Sequence, residues 1–98
     1  MKIINQTKDT VLAKEVIIAD TFLKRIKGLL GRKDFLPEEA LIIKPCNSIH
    51  TFFMRFPIDV LFVDKDNRVL KALSSLKPFQ LTSIYFQASF VIELPSGA

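Results

Sequence analysis

The stretch PIDVLFVDKDNRVLKAL, residues 57–73, decides the fold class of this chain. Residues 58–63 form an apolar, β-branched run that is typical of a buried strand. The polar residues 64–67 have the composition of a tight turn, and residues 68–73 are predicted to return beside the first strand as a hairpin. The chain is therefore expected to be rich in β-structure.

Further strands are predicted on both sides of this hairpin. Short apolar or β-branched runs bounded by turn residues indicate strands. They occur at residues 2–5, 11–19, 40–43, 47–53 and 89–94, and residues 81–85 are ambiguous. The first two runs are expected to pair as a second hairpin.

One helix is predicted over residues 21–30, because the apolar residues there recur at helical spacing. Asp20 can cap this helix by accepting hydrogen bonds from the first-turn amides. Gly28 or Gly31 is expected to have a positive φ and to end the helix. The sum is an α+β, β-rich fold: a single small domain over residues 1–98, with six or seven short strands in a barrel or half-barrel and one main helix.

The composition limits the class of protein. Hydrophobic residues make up 49% of the chain, nine residues are Phe, and the mean hydropathy is +0.28. These values indicate either a very apolar core or apolar surface that awaits a partner, which includes a second copy of the chain. The net charge of +4 is compatible with an anionic ligand and also with ordinary solubility.

The single cysteine excludes an internal disulfide, so a reducing compartment suits the chain. The first residues lack the apolar run of a signal peptide. No apolar stretch approaches the roughly 20 residues that a membrane-spanning helix needs. We expect a cytoplasmic protein without a membrane span.

Cys46 and His50 are the only residues of their kinds, and Met54 follows. On an extended strand, residues four apart are separated by about 13 Å, so Cys46 and His50 are predicted not to form a catalytic dyad. One Cys and one His are too few for a zinc or copper site. We predict no metal and no cofactor; Cys46 and Met54 fill a core, while His50 lies in a wall or lines a cleft.

Asp59 is the most unusual residue of the 58–63 strand, because strands buried on both faces seldom contain an unpaired carboxylate. It is predicted to be partly buried and to accept hydrogen bonds from backbone amides or from Arg55, Arg32 or Arg25. Two roles remain open for it: a structural acceptor, or a carboxylate in a functional pocket.

Four blocks of the sequence resemble one known family. The blocks RIKGLLGR, FLPEEALII, SIHTFFMRFPIDVLFVD and FVIELPSG are similar to those of the domain of unknown function 192 family, DUF192, which comprises small bacterial and archaeal proteins. The residues that match its pattern are Arg25, Gly28, Arg32, Met54, Pro57, Asp59 and Asp64. The resemblance implies a β-rich domain with one helix, and it implies no reaction.

The chain departs from the family's pattern in two places. Many relatives have Ser-Phe-Trp where this chain has Ile-His-Thr-Phe-Phe. Relatives also continue past Leu-Pro-x-Gly into another apolar segment, whereas this sequence stops at Ala98, so it is expected to be short at the C-terminus.

The function favoured by these observations is a binding module for a small anionic or amphipathic ligand. The candidate ligand-binding residues are Asp59, Arg25, Arg32, Arg55, His50 and Met54. An enzyme that uses Asp59 as acid or base, helped by His50 or Cys46, is the alternative, but the motif lacks a second carboxylate. A protein-interaction or nucleic-acid-binding role is the third; the absence of a basic run and of an RNA-binding aromatic signature argues against nucleic acid.

Overall fold

The computed structural model describes residues 3–5, 10–21, 24, 29, 34–52 and 54–97. These residues form seven strands, which confirms the predicted β-rich chain. The strands are β1 (Ile3–Asn5), β2 (Thr10–Ala13), β3 (Glu15–Ala19), β4 (Glu39–Ile43), β5 (Ile58–Val63), β6 (Val69–Leu76) and β7 (Phe90–Pro95).

Five strands make one sheet in the order β3-β4-β7-β5-β6, and β1 and β2 form a separate antiparallel hairpin. The β3–β4 pair is parallel, and the other neighbours are antiparallel. In the described part of the chain β3 and β6 are the two edges of the sheet, so the sheet is not closed. Of the two predicted alternatives, barrel and half-barrel, the closed barrel is therefore wrong. Alternating apolar residues predict strands, but closure depends on whether the edge strands pair, which no local pattern records.

The hairpin of residues 57–73 is confirmed. Asp64 Oδ1 accepts hydrogen bonds from the amides of Asp66 at 2.8 Å and Arg68 at 2.9 Å, which fixes the turn between β5 and β6. Asn67 has a φ of 63°, a left-handed conformation that Asn tolerates well. The return strand runs on to Leu76, beyond its predicted end.

Two strand predictions need correction. The run 11–19 is divided at Lys14, where the amides of Lys14 and Glu15 both donate to the Glu38 carbonyl. This bend lets β2 leave the sheet and pair with β1, as the predicted hairpin requires. Residues 47–53 are not a strand in the described part: their one ladder contact is an isolated bridge between His50 and Leu81.

Most of the predicted helix over residues 21–30 lies outside the described residues, and so do Gly28 and Gly31. Lys24 has a helical conformation, and its amide donates to Thr21 Oγ1 at 3.2 Å. Such a contact is typical of a helix N-terminus. The cap predicted at Asp20 stays a prediction, because the amides from which it would accept lie outside the described residues. No helix in the described part of the chain is long and apolar enough to cross a membrane.

Each face of the sheet carries its own apolar core. The main core includes Ile58, Val60 and Phe62 of β5, and the second core contains Val63, Ile92 and Leu94. Two irregular segments, residues 46–52 and 78–88, connect strands across the main-core face; we call them the crossover pair. Tyr85 of this pair packs its ring 4.3 Å from that of Phe62.

Candidate functional site

The two segments of the crossover pair are held together by backbone hydrogen bonds. The Thr51 amide donates to the Gln80 carbonyl at 2.9 Å, and the Thr82 amide donates to the Ile49 carbonyl at 3.0 Å. Between these bonds, His50 and Leu81 face each other in the isolated bridge. The pair therefore behaves as a short, irregular second layer on top of the sheet.

Thr51 is the side chain that fixes this layer. It is completely buried, and its hydroxyl donates to the Lys77 carbonyl at 2.6 Å while accepting from the Gln80 amide at 2.9 Å. The Thr51 carbonyl also accepts from the Phe79 amide at 2.9 Å. One buried residue thus sets the positions of residues 77–80, and with them the side chains that point away from the core.

The outer side of the crossover pair is apolar. Its exposed large side chains are Phe52, Phe79, Leu81, Ile84 and Phe86, which we call the apolar face. Phe86 is 84% exposed and Leu81 71% exposed, so these side chains protrude rather than line a cavity. Exposed apolar groups clustered on one segment mark an interaction surface more often than single scattered ones do.

The exposed charged residues nearest to the apolar face along the chain have one sign. Residues 46–54 and 78–92 contain no Asp, Glu, Lys or Arg. The exposed charged residues next to these stretches in the sequence are Lys44, Arg55 and Lys77, all cations. The one ion pair within the described residues joins Lys14 to Glu38, so the three cations are not neutralised there.

An open groove of about 500 Å³ lies between the end of β6 and Gln80. Its polar lining consists of Ser74, Ser75, Lys77 and Gln80. An ammonium, two hydroxyls and a side-chain amide are groups that bind carboxylate or phosphate oxygens. Phe79 follows Lys77 by two residues and precedes Gln80, so the polar lining of the groove and an exposed apolar ring are close in the chain.

Asp59 lies away from this arrangement. Its Oδ1 accepts from the Ser75 amide at 2.7 Å, and its Oδ2 accepts from the Gly97 amide at 2.9 Å. The side chain is buried on the second-core face, whereas its neighbours Ile58 and Val60 point into the main core. Asp59 therefore accepts from backbone amides as predicted, and these bonds tie the end of β6 to the turn after β7.

The other predicted site residues that the structure describes lie in different surroundings. Met54 is buried in the main core, on the opposite side of the sheet from Asp59. Arg55 is exposed, and Arg25 and Arg32 lie outside the described residues. His50 belongs to the crossover pair, where its ring stacks on Phe52 with centroids 5.2 Å apart.

Cys46 and His50 have separate partners. The Cys46 thiol donates to the Ser48 carbonyl at 3.1 Å, and His50 Nδ1 accepts from the Phe52 amide at 3.2 Å. Within the described residues, no group of three or more His, Cys, Asp or Glu side chains could hold a metal ion. Neither residue shows the arrangement of an activated nucleophile.

The sequence reasoning missed Glu93, which is only 3% exposed at the centre of the sheet. It lies between Leu41 of β4 and Val60 of β5, both members of the main core. Burial raises the pKa of Glu93 to about 8. The argument that singled out Asp59, a carboxylate within an apolar strand, applies equally to the FVIELP segment and could have found it.

It also missed Lys77 and the apolar face. The available signal was the long uncharged stretch 78–92, which begins directly after a lysine and contains three Phe. The sequence leaves residues 81–85 ambiguous and predicts a strand over residues 89–94, and neither pattern indicates that the side chains of residues 79–86 are exposed.

Comparison with known families gives one match over nearly the whole chain. The profile of the DUF192 family, described as uncharacterized ACR, matches residues 3–98. A UPF0127 protein of Pyrococcus horikoshii is 40% identical over 101 residues, which cover 97% of this chain and 84% of that protein. A UPF0127 protein of Thermococcus kodakarensis is 36% identical, and the chain spans only 62% of its length.

Two crystal structures share the fold. A protein of unknown function from Novosphingobium aromaticivorans superposes with a TM-score of 0.76 at 18% identity, covering 99% of this chain and 82% of that one. A putative transcription regulator from Sinorhizobium meliloti superposes with a TM-score of 0.81 at 17% identity, covering 98% and 78%. At these identities the likeness concerns the fold alone.

Proposed function

We propose that this chain, which belongs to the DUF192 family of uncharacterized proteins as its sequence blocks predicted, is a binding module. Its ligands would be anionic amphipathic molecules. The observation that carries the proposal is that Lys77 and Gln80, which line the groove, flank in sequence the exposed residue Phe79. An amphipathic anion has two parts, and this surface offers a matching environment for each.

The anionic part would lie in the groove. The Lys77 ammonium supplies the charge, while the Ser74 hydroxyl and the Gln80 amide group supply further donors. Charge-assisted hydrogen bonds of this kind are about twice as strong as neutral ones. The apolar part would then extend over Phe79 and Leu81, whose exposed surface is removed from water on binding.

The proposed site differs from the one predicted from the sequence. Asp59 was the leading candidate, but both of its oxygens accept backbone amides, so its contribution is to hold the Ser75 end of the groove. Among the predicted residues, His50 stacks on Phe52 of the apolar face, and Arg55 is an exposed cation three residues after Phe52 in the sequence. The proposal assigns no role to Arg25 and Arg32, which lie outside the described residues.

The proposal keeps the cytoplasmic location and the single domain that the sequence predicts. It describes a non-enzymatic role. The described residues support this by their arrangement: Cys46 and His50 have separate partners, and Asp59 is buried among backbone donors.

A calorimetric titration with dodecyl phosphate, kept below its critical micelle concentration, tests the proposal. Wild-type protein should bind, and Lys77→Glu should weaken binding by about tenfold or more, because a hydrogen bond to a charged group contributes about 1.5–3 kcal/mol. Lys65→Glu is the matched control, since Lys65 is exposed in the turn between β5 and β6. Absence of binding by the wild type, or equal effects of both substitutions, would contradict the proposal.

A further inference from the structure

The geometry points to an anionic lipid surface as the partner of the apolar face: we propose that the protein docks on membranes that carry negatively charged headgroups. This inference rests on the proposed function, since it names the form in which the amphipathic anions are presented. The protein would associate with the membrane peripherally, held by side chains that enter the headgroup region.

The shape of the apolar face supports a lipid partner. Phe86 and Leu81 stand out into solvent, with 84% and 71% of their surface exposed. A lipid layer accommodates protruding apolar side chains at the headgroup boundary, whereas a protein partner must offer matching pockets at fixed positions. Protruding phenylalanine and leucine side chains are the groups that interfacial segments use to anchor themselves.

The charge pattern supports an anionic layer. The exposed charged residues that flank the two uncharged stretches are Lys44, Arg55 and Lys77. Cations beside an apolar surface face the phosphate level when the apolar side chains enter the boundary below it.

Hydrogen bonds and packing hold the backbone beneath the apolar face in place. Thr51 binds the backbone of Lys77, Phe79 and Gln80 from within the core. Tyr85 packs on Phe62, so the second half of the segment is also anchored to the sheet. The side chains that would enter the lipid are thus presented by a backbone already held in place, which lowers the ordering cost of binding.

Sedimentation with vesicles tests the inference. Vesicles of phosphatidylcholine alone are compared with vesicles that also contain phosphatidylglycerol. Wild-type protein should sediment with the anionic vesicles, bind the neutral ones weakly, and dissociate as salt is raised. Each positive charge removed from the rim should weaken binding by about fivefold, so Lys44→Gln and Lys77→Gln should have similar effects.

The contribution of the apolar side chains is tested by a double variant that carries Leu81→Ser and Phe86→Ser. This variant should no longer sediment with the anionic vesicles. Val69→Ser is the matched control, because Val69 is an exposed apolar residue of the edge strand β6 and lies outside the apolar face. All variants change exposed side chains, and circular dichroism checks that they fold. If Val69→Ser reduces binding as much as the double substitution does, the proposed face is wrong.

Three outcomes separate this inference from the proposed function. Binding of monomeric dodecyl phosphate without binding of anionic vesicles would overturn the lipid docking and leave the binding module intact. Absence of both would overturn both. If the protein is a dimer by light scattering and Phe86→Ser converts it to a monomer, a second copy covers the apolar face and the lipid proposal is wrong.

Discussion

The carboxylate of Asp59 accepts a 2.7 Å hydrogen bond from the backbone amide of Ser75. Ser75 has a φ of 50°, in the left-handed region, and pairing between β5 and β6 is irregular at this point. The second oxygen of Asp59 accepts from the Gly97 amide. A single side chain thus replaces the ladder bonds that are lost where β6 bends away from the sheet.

Asp59→Asn should therefore destabilise the protein by about 1–3 kcal/mol, because one carboxylate oxygen becomes an amide group that cannot accept from a backbone N–H. Urea denaturation measures the change. As a control, Asp20→Asn alters an exposed carboxylate outside the sheet and should have little effect. Equal stability of the wild type and Asp59→Asn would mean that these two bonds do not support the fold.

Glu93 makes the stability of the protein depend on pH. Its pKa is raised from 4.5 in the unfolded reference to about 8 in the folded protein, because burial disfavours the charged form. The folded protein then binds more protons between these values, so the free energy of unfolding falls as pH rises through this window. The slope from this one group approaches about 1.4 kcal/mol per pH unit.

Glu93→Gln should remove this contribution, because glutamine stays neutral. Thermal unfolding of both proteins across the window measures the difference between their profiles. We expect the wild type to lose stability relative to Glu93→Gln as pH rises from 4.5 to 8, and the two profiles to run parallel above and below that range. Parallel profiles throughout would show that Glu93 does not have the raised pKa.

Thr51→Val keeps the shape of the side chain and deletes the hydroxyl. The Lys77 carbonyl and the Gln80 amide then each lose a partner, which should cost about 1–3 kcal/mol of stability. Binding of dodecyl phosphate should also weaken, because residues 77–80 are no longer held in place. Ser83→Ala, a change at an exposed residue of the same segment, is the control for stability and binding.

Phe79→Asn should separate binding from stability. Phe79 has a φ of 64°, a conformation that costs a bulky residue about 1–2 kcal/mol and that asparagine adopts more readily. The relief of strain offsets the lost contacts of the ring, so the free energy of unfolding should change by less than about 1 kcal/mol. Binding should fall clearly, as measured by calorimetry. Binding at the wild-type level would remove Phe79 from the site.

The sequence predicted the elements that are specified locally. The β5–β6 hairpin follows from an apolar run and from Asp64, whose side chain closes the turn. Burial of Asp59 among backbone donors follows from the cost of an isolated carboxylate in an apolar strand. In both cases the deciding interactions involve residues close in sequence or a general rule of polar burial.

The crossover pair could not be predicted in this way. Its segments are about thirty residues apart and meet through backbone bonds at Thr51 and Gln80, which leave no alternating pattern in the sequence. The open sheet has a similar cause, since pairing of β4 with β7 depends on the whole topology. The proposed site depends on the exposure of Phe79 and Leu81, which no pattern in the sequence indicates.

The central claim is that the Lys77 groove and the apolar face bind anionic amphipathic molecules. Two-dimensional amide NMR spectra recorded during titration with dodecyl phosphate below its critical micelle concentration test it most directly. The account predicts that the largest shifts fall on residues 74–86 together with His50 and Phe52, and that Lys77→Glu suppresses them. Shifts that centre on β3 and the β1–β2 hairpin, or no shifts in the wild-type spectra, would contradict the claim.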